Sequence, residues 1–236
     1  MASSWLDFWN GSHRIYVNAR HAQVHYAKIA ADFIALIPSA DAIVVHWGCG
    51  EALQALTVAA HCRCLVLCDA ASAIRGRLTE RFAASTEPDA AKIAVCSPED
   101  LRTRYVGGID LFVVNSVLQY LSLAELDQLL ADVRALLAPG GSLVVADVIP
   151  RHDDLVSDVR NLLATAWAKG FFIAALFGLA ATFFSRYRTL RNTVGLARHD
   201  EAEFLSGLRA AGFTAARLQP NMGFDQRRMA FRATLR

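Results

Sequence analysis

Residues 44–55 read VVHWGCGEALQA. An apolar run ends at Trp47, glycines stand at 48 and 50, and a segment of helix-forming residues follows. Glycine lets the main chain turn sharply and lets a ligand approach it closely, and a helix start offers free N–H groups. The stretch therefore reads as strand, ligand-cradling turn and helix. The third glycine of a dinucleotide fingerprint is missing, because Leu53 stands there. The next apolar run, CLVLCD (64–69), ends on Asp69, 21 residues after Gly48. A carboxylate in that place can accept both hydrogen bonds of a ribose diol, and it can also cap the helix that follows. The two features together point to a ligand that contains adenosine.

Outward from this pair, strands and helices alternate. AIVVHW (42–47), CLVLCD (64–69), KIAVCS (92–97), GIDLFVVNS (108–116) and SLVVADVI (142–149) read as five strands. Their Val, Leu and Ile runs lack polar alternation, which suits strands covered on both faces. Helices are expected at about 16–37, after the glycine turn, at 71–84 and at 123–137, where Pro139-Gly140-Gly141 ends the last. After Pro150 the alternation pauses, then resumes with a helix near 200–211 and strands near 213–219 and 226–234. Such alternation makes a parallel sheet with helices on both sides.

Composition narrows the classes. The 236 residues are 54% hydrophobic and 19% charged, which excludes a disordered chain. A net charge of +2 is too near neutral for a dedicated nucleic-acid binder. The charge is uneven: residues 186–236 carry a net +6 and the preceding 185 a net −4. Five cysteines, at 49, 62, 64, 68 and 96, read as reduced small hydrophobes of a cytoplasmic protein, and their spacing lacks the second half of a metal site, so no metal is expected. The first 30 residues show no basic start followed by an apolar run, so no signal peptide is read there.

In four blocks the sequence resembles the class I S-adenosylmethionine-dependent methyltransferases, in order over about 40–150 and more loosely over 200–234. VVHWGCGEA is similar to the glycine loop that contacts the amino-acid part of the cofactor, which implies roles for His46, Gly48, Cys49 and Gly50. LVLCDA resembles the second strand with its ribose-binding acid, here Asp69 followed by Ala70. SPEDL (97–101) is similar to the loop flanking adenine, with Glu99, Asp100 and Leu101. DLFVVNSVLQYLS followed by LLAPGGSLVVADV resembles the fourth strand, its helix and the fifth strand, and places Asn115, Ser116 and Gln119 beside the cofactor. The resemblance implies a Rossmann-like α/β fold: a seven-stranded, mostly parallel sheet with an antiparallel C-terminal hairpin, helices on both faces and a helical lid insert. It implies one domain over 1–236, divided into an N-terminal helical cap (1–38), a cofactor-binding core (39–150), an apolar helical insert (151–199) and a helix with the hairpin (200–236).

The chain departs from the family at two places. His46 stands where an acid is usual, and Ala52 where a glycine is usual. Histidine cannot anchor the cofactor's ammonium as a carboxylate would, so the expectation is modest affinity or an ammonium held by backbone carbonyls.

The implied activity is methyl transfer from S-adenosylmethionine to the oxygen or nitrogen of a hydrophobic small-molecule or lipid-like acceptor. A hydroxyl acceptor needs a general base. His152, just after the fifth strand, is the first candidate, with Tyr16, His21 and His25 of the N-terminal helix next. The stretch LLATAWAKGFFIAALFGLAATFF (162–184) is long enough to span a bilayer but carries Lys169 near its middle, and a span would separate the last two strands from their sheet. Three readings stay open for it: a lid over the acceptor, an element lying in a membrane surface with Arg186, Arg188 and Arg191 (162–191 in all), and a homodimer face. Two other functions compete. A nicotinamide-dependent oxidoreductase would explain the glycine turn and Asp69, but not NSVLQYLS or the terminal hairpin, and no Tyr-x-x-x-Lys pair is present. A catalytically degenerate cofactor-binding scaffold would explain His46 and Ala52. Nucleic-acid methylation is not expected, since no Asn/Asp-Pro-Pro-aromatic sequence follows the fourth strand.

Overall fold

The computed structural model describes residues 5–11, 19–152 and 195–236. Seven strands form one sheet in the order β3-β2-β1-β4-β5-β7-β6. They are β1 (Ile43–Trp47), β2 (Cys64–Cys68), β3 (Ile93–Cys96), β4 (Ile109–Asn115), β5 (Leu137–Val148), β6 (Phe213–Leu218) and β7 (Met229–Leu235). The first five pair in parallel, and β7 runs antiparallel to both β5 and β6. This is the seven-stranded, mostly parallel sheet with a C-terminal hairpin expected from the sequence.

Both faces are buried, as the unbroken apolar runs require. On β4, Phe112 and Val114 face a core with Leu130, Val133, Phe204 and Phe231. Its alternate residues Leu111 and Val113 face a second core with Ile29, Phe33, Leu67 and Leu78. Among the described residues the helices are α1 (Trp5–Asn10), α2 (Ala19–Ile34), α3 (Ala55–Ala59), α4 (Ser72–Ala83), α5 (Pro98–Arg104), α6 (Leu123–Leu136) and α7 (Glu201–Ala210). The chain runs outward from β1 to β3 and then returns to β4 beside β1. The order therefore reverses between β1 and β4, which opens a crevice at the carboxyl ends of those strands.

Three local differences have physical causes. The helix after the glycine turn starts only at Ala55, because Gly48, Gly50 and Ala52 all have positive φ (66°, 55° and 40°) and hold 48–54 as a loop. The SPEDL segment, read as a loop, opens α5: Ser97 caps it reciprocally with Asp100, and Pro98 sits in the first turn. The strand read as beginning at Ser142 begins at Leu137. Ile109 pairs Leu137 and Leu111 pairs Ser142, so Ala138–Gly141 bulge out within the strand. Gly141 is required there, since a Cβ would lie 2.5 Å from the Ile109 carbonyl oxygen.

Tyr16 and the apolar stretch 162–184 with Arg186, Arg188 and Arg191 lie outside the described residues, and so do the lid, membrane-surface and dimer readings built on them. Among the described residues, no helix is long and apolar enough to cross a membrane.

Candidate functional site

The crevice at the switch between β1 and β4 is part of a cavity of about 1660 Å³. Pockets for single small ligands usually span about 300–1,000 Å³, so this space suits a cofactor and a second molecule together.

Its floor is the glycine turn. Gly48 donates its N–H to the Cys68 carbonyl at 2.7 Å, which closes the turn onto the end of β2. A Cβ at Gly48 would meet Val117 Cγ2 at 2.5 Å, and φ is +66°, so only glycine fits. Asp69 braces the same turn from the next strand. Its Oδ2 accepts from Gly50 N–H at 3.0 Å and its Oδ1 from Ala71 N–H at 2.9 Å, just ahead of α4. The carboxylate is 8% exposed. Burial pushes its pKa up, against the two backbone N–H groups and Arg75. Asp69 lines the crevice but does not cap α4, whose N-cap is Ala71 with no side-chain cap bond; it braces the loop just ahead of that helix through Ala71 N–H.

The end of β4 supplies the opposite wall. Asn115 and Gln119 are each 8% exposed. The Gln119 amide donates to the Ser116 carbonyl at 2.7 Å. The Asn115 Oδ1 and the Gln119 Oε1 are enclosed and have no hydrogen-bond partner among the described residues. Buried polar atoms are normally paired, so two orphaned oxygens at one crevice call for a donor from a ligand. Ser116 and Asp147, at the ends of β4 and β5, both have φ +59°, and Ser116 Oγ–H donates to Asp147 Oδ2 at 2.7 Å. Backbone strain of this kind costs about 1–3 kcal/mol per residue and gathers at functional sites.

His46 lines the crevice beside Phe33, ring centroids 5.3 Å apart. Burial lowers its pKa to about 4, so it is neutral at physiological pH. It offers the crevice no charge.

Rings of α1 and Tyr120 form an aromatic roof along one wall of the cavity. The ring of Trp5 lies 4.6 Å from Tyr120 and that of Trp9 5.5 Å from it. Asn10 ties α1 down: its Oδ1 accepts from Ser72 Oγ–H at 3.3 Å and from Ala73 N–H at 3.2 Å. Leu6 and Leu121 extend this apolar wall.

The cavity thus brings together His46, Gly48, Cys49, Gly50, Asp69, Ala70, Asn115, Ser116 and Gln119, with His25 from α2. His21 is on α2 as expected. Glu99, Asp100 and Leu101 are not among the lining residues. Leu101 is core and Asp100 is engaged in capping α5. His152 is exposed on the turn after β5 and does not line the cavity, although its neighbour Arg151 does. The sequence reading missed His199, which lines the cavity from the segment ahead of α7.

These residues fit an adenosyl sulfonium: a cradle that a Cβ would fill, a buried carboxylate for a diol, and two oxygens lacking donors. Residues 45–145 match the family model described as a methyltransferase domain. No curated protein matches the chain by sequence. Among solved structures, the magnesium protoporphyrin IX methyltransferase of Synechocystis PCC 6803, with S-adenosylhomocysteine bound, is similar at 15% identity and TM-score 0.58, over 97% of this chain and 92% of that one. The S-adenosylhomocysteine complex of DhpI is similar at 11% identity and TM-score 0.58, over 98% and 94%. The YcgJ protein of Bacillus subtilis is similar at 11% identity and TM-score 0.54, over 83% and 71%.

Proposed function

We propose that the chain, whose residues 45–145 match a methyltransferase-domain model, is a class I S-adenosylmethionine-dependent methyltransferase that methylates a small, largely apolar molecule bound beneath the aromatic roof of the cavity. The observation that carries this reading is the convergence, at the switch point of the sheet, of the Gly48 cradle, the Asp69 carboxylate and the orphaned oxygens of Asn115 and Gln119.

Each group has a task. The cofactor supplies an electrophilic methyl group already activated by the positive charge on sulfur. The turn at Gly48–Gly50 makes room for it against the main chain. Asp69 accepts the ribose hydroxyls with the lone pairs its backbone bonds leave free. Asn115 and Gln119 take up the ammonium through their amide oxygens, which accounts for a chain that has neutral His46 where the family has an acid. Partial negative charge on two amides replaces one full charge. Trp5, Trp9, Tyr120 and Leu121 exclude water and give the acceptor an apolar surface. The protein's main contribution is alignment, and holding two reactants in line supplies up to about 7–11 kcal/mol.

Calorimetric titration with S-adenosylhomocysteine, 5′-methylthioadenosine and NADH tests the reading. Binding of the first two and not the third is expected. NADH binding without S-adenosylhomocysteine binding would replace the methyltransferase by an oxidoreductase.

A further inference from the structure

We infer that His199 is the proton acceptor of this site, and that the molecule methylated presents a hydroxyl. The inference rests on the methyltransferase reading above and adds the acceptor's chemistry to it.

The placement of His199 is fixed by the main chain. Its N–H donates to the Ile149 carbonyl at 2.9 Å, and its carbonyl accepts from Arg151 N–H at 2.9 Å, in a parallel bridge with Pro150. Two residues earlier, Ala197 N–H donates to the Gln119 carbonyl at 2.9 Å. The segment is therefore stitched to the end of β5 on one side and to the loop that follows β4 on the other. That loop carries Gln119, one of the two residues assigned to the cofactor's ammonium. The imidazole meets the Phe204 ring edge-on, centroids 5.1 Å apart, which orients it.

Its Nε2 is enclosed and has no hydrogen-bond partner among the described residues. A buried imidazole nitrogen without a partner costs free energy that a ligand's O–H would recover. Burial, more than the surrounding charges, favours the neutral ring. Burial and Arg151 lower its pKa. The Glu203 carboxylate is engaged by Arg151 at 3.2 Å, and Asp200 is engaged in capping α7 through Ala202 and Glu203 N–H. Neither acid is left to hold the ring protonated. A neutral imidazole with its proton on Nδ1 leaves Nε2 as a base.

A hydroxyl fits this base better than an amine. A hydroxyl oxygen is a weak nucleophile until its proton leaves, whereas a neutral amine already presents its lone pair. An amine arriving as ammonium would meet Arg151. In the step itself, the hydroxyl oxygen forms the new bond to the methyl carbon as its proton passes to His199 Nε2. The carbon–sulfur bond breaks with its electron pair going to sulfur, and the proton then leaves the imidazole for water.

The test uses the full chain with 2-naphthol and 2-aminonaphthalene, apolar probes of one shape that differ in the reacting atom. Transfer of labelled methyl from S-adenosylmethionine is measured for the wild type, His199→Gln and His199→Asn. The nitrogen-15 shift of the His199 imidazole is followed as 2-naphthol binds the S-adenosylhomocysteine complex. Methylation of the naphthol is expected, with the rate rising through an ionisation below that of free imidazole. Both variants should lose at least about a hundredfold in rate, as removal of a general base does, with affinity for S-adenosylhomocysteine unchanged within twofold. The Nε2 resonance should move on binding 2-naphthol. No methylation of the naphthol, methylation of the amine alone, undiminished rates in both variants, or an unmoved Nε2 resonance would each overturn the role of His199. Failure of the wild type to bind S-adenosylhomocysteine would instead remove the methyltransferase reading beneath it.

Discussion

Asn115 and Gln119 are proposed to hold the cofactor's ammonium through their unpaired oxygens, so their removal has a defined signature. Asn115→Ala and Gln119→Ala should each weaken S-adenosylhomocysteine about tenfold and leave 5′-methylthioadenosine, which lacks the amino-acid part, unaffected in calorimetry; a hydrogen bond to a charged group contributes about 1.5–3 kcal/mol. Asp69 adds a pH dependence. Because burial raises its pKa, affinity for both adenosyl ligands should fall on acidification at a higher pH than for an ordinary aspartate. His46 acts on stability. The folded chain keeps it neutral down to about pH 4, while the unfolded chain takes up a proton near 6.5. The unfolded state then binds more protons across that window, so stability is full above pH 6.5 and is lost as pH falls toward 4, by up to about 3 kcal/mol before water in the cavity trims the figure. Urea unfolding at pH 7.5, 5.5 and 4 should show a shallower acid loss in His46→Phe than in the wild type. Much at this scale was legible in the sequence. Gly48 and Asp69 announce themselves by their places at strand ends. His199 does not, because only the tertiary pairing of Pro150 with His199 returns it to the end of β5. In the sequence it reads as a residue ahead of a capping aspartate.

At the scale of elements, two glycines separate site from scaffold. Gly48→Ala adds a methyl against Val117 at a positive φ, inside the crevice. It should weaken S-adenosylhomocysteine at least tenfold. Gly141→Ala meets two backbone carbonyls in the bulge of β5, at 2.5 and 2.9 Å. It should cost about 1–3 kcal/mol of stability, as other overpacked sites do, with the ligand affinity of the folded protein unchanged. Denaturant midpoints and calorimetry on the two variants distinguish these outcomes. The long regular elements α4, α6, α7 and the central strands were readable to within a residue or two, because periodicity and caps coincide. The misread elements are those governed by exceptions to periodicity. Three positive-φ residues at alternate positions, Gly48, Gly50 and Ala52, delay α3, and a bulge lets β5 begin before its glycines. The opening of α5 was available in the S-x-x-D pattern of Ser97 and Asp100.

Across the whole molecule, the sheet is protected from its centre outward. β1 and β4 are flanked on both sides by strands and covered on both faces, while β3 and β6 are edges. Hydrogen exchange should be slowest at Val44, Val45 and Leu111–Val114 and fastest among the strands at β3 and β6. Uniform exchange across the sheet would contradict this gradient. Fold class was legible because the apolar runs of β1, β2, β4 and β5 agree with burial on both faces, whereas β6 alternates buried and exposed residues as an edge strand can. The acceptor's identity was not, because the aromatic roof depends on α1 folding back over Tyr120, a contact between residues more than 110 positions apart. The paired left-handed residues at the tips of β4 and β5 have one more implication, for anyone seeking to harden this protein against heat. Ser116 and Asp147 are where a glycine would relax the main chain most cheaply. They are also where the tether between two strand tips holds the mouth of the crevice in shape, so thermal hardiness gained at these positions should come at the expense of turnover.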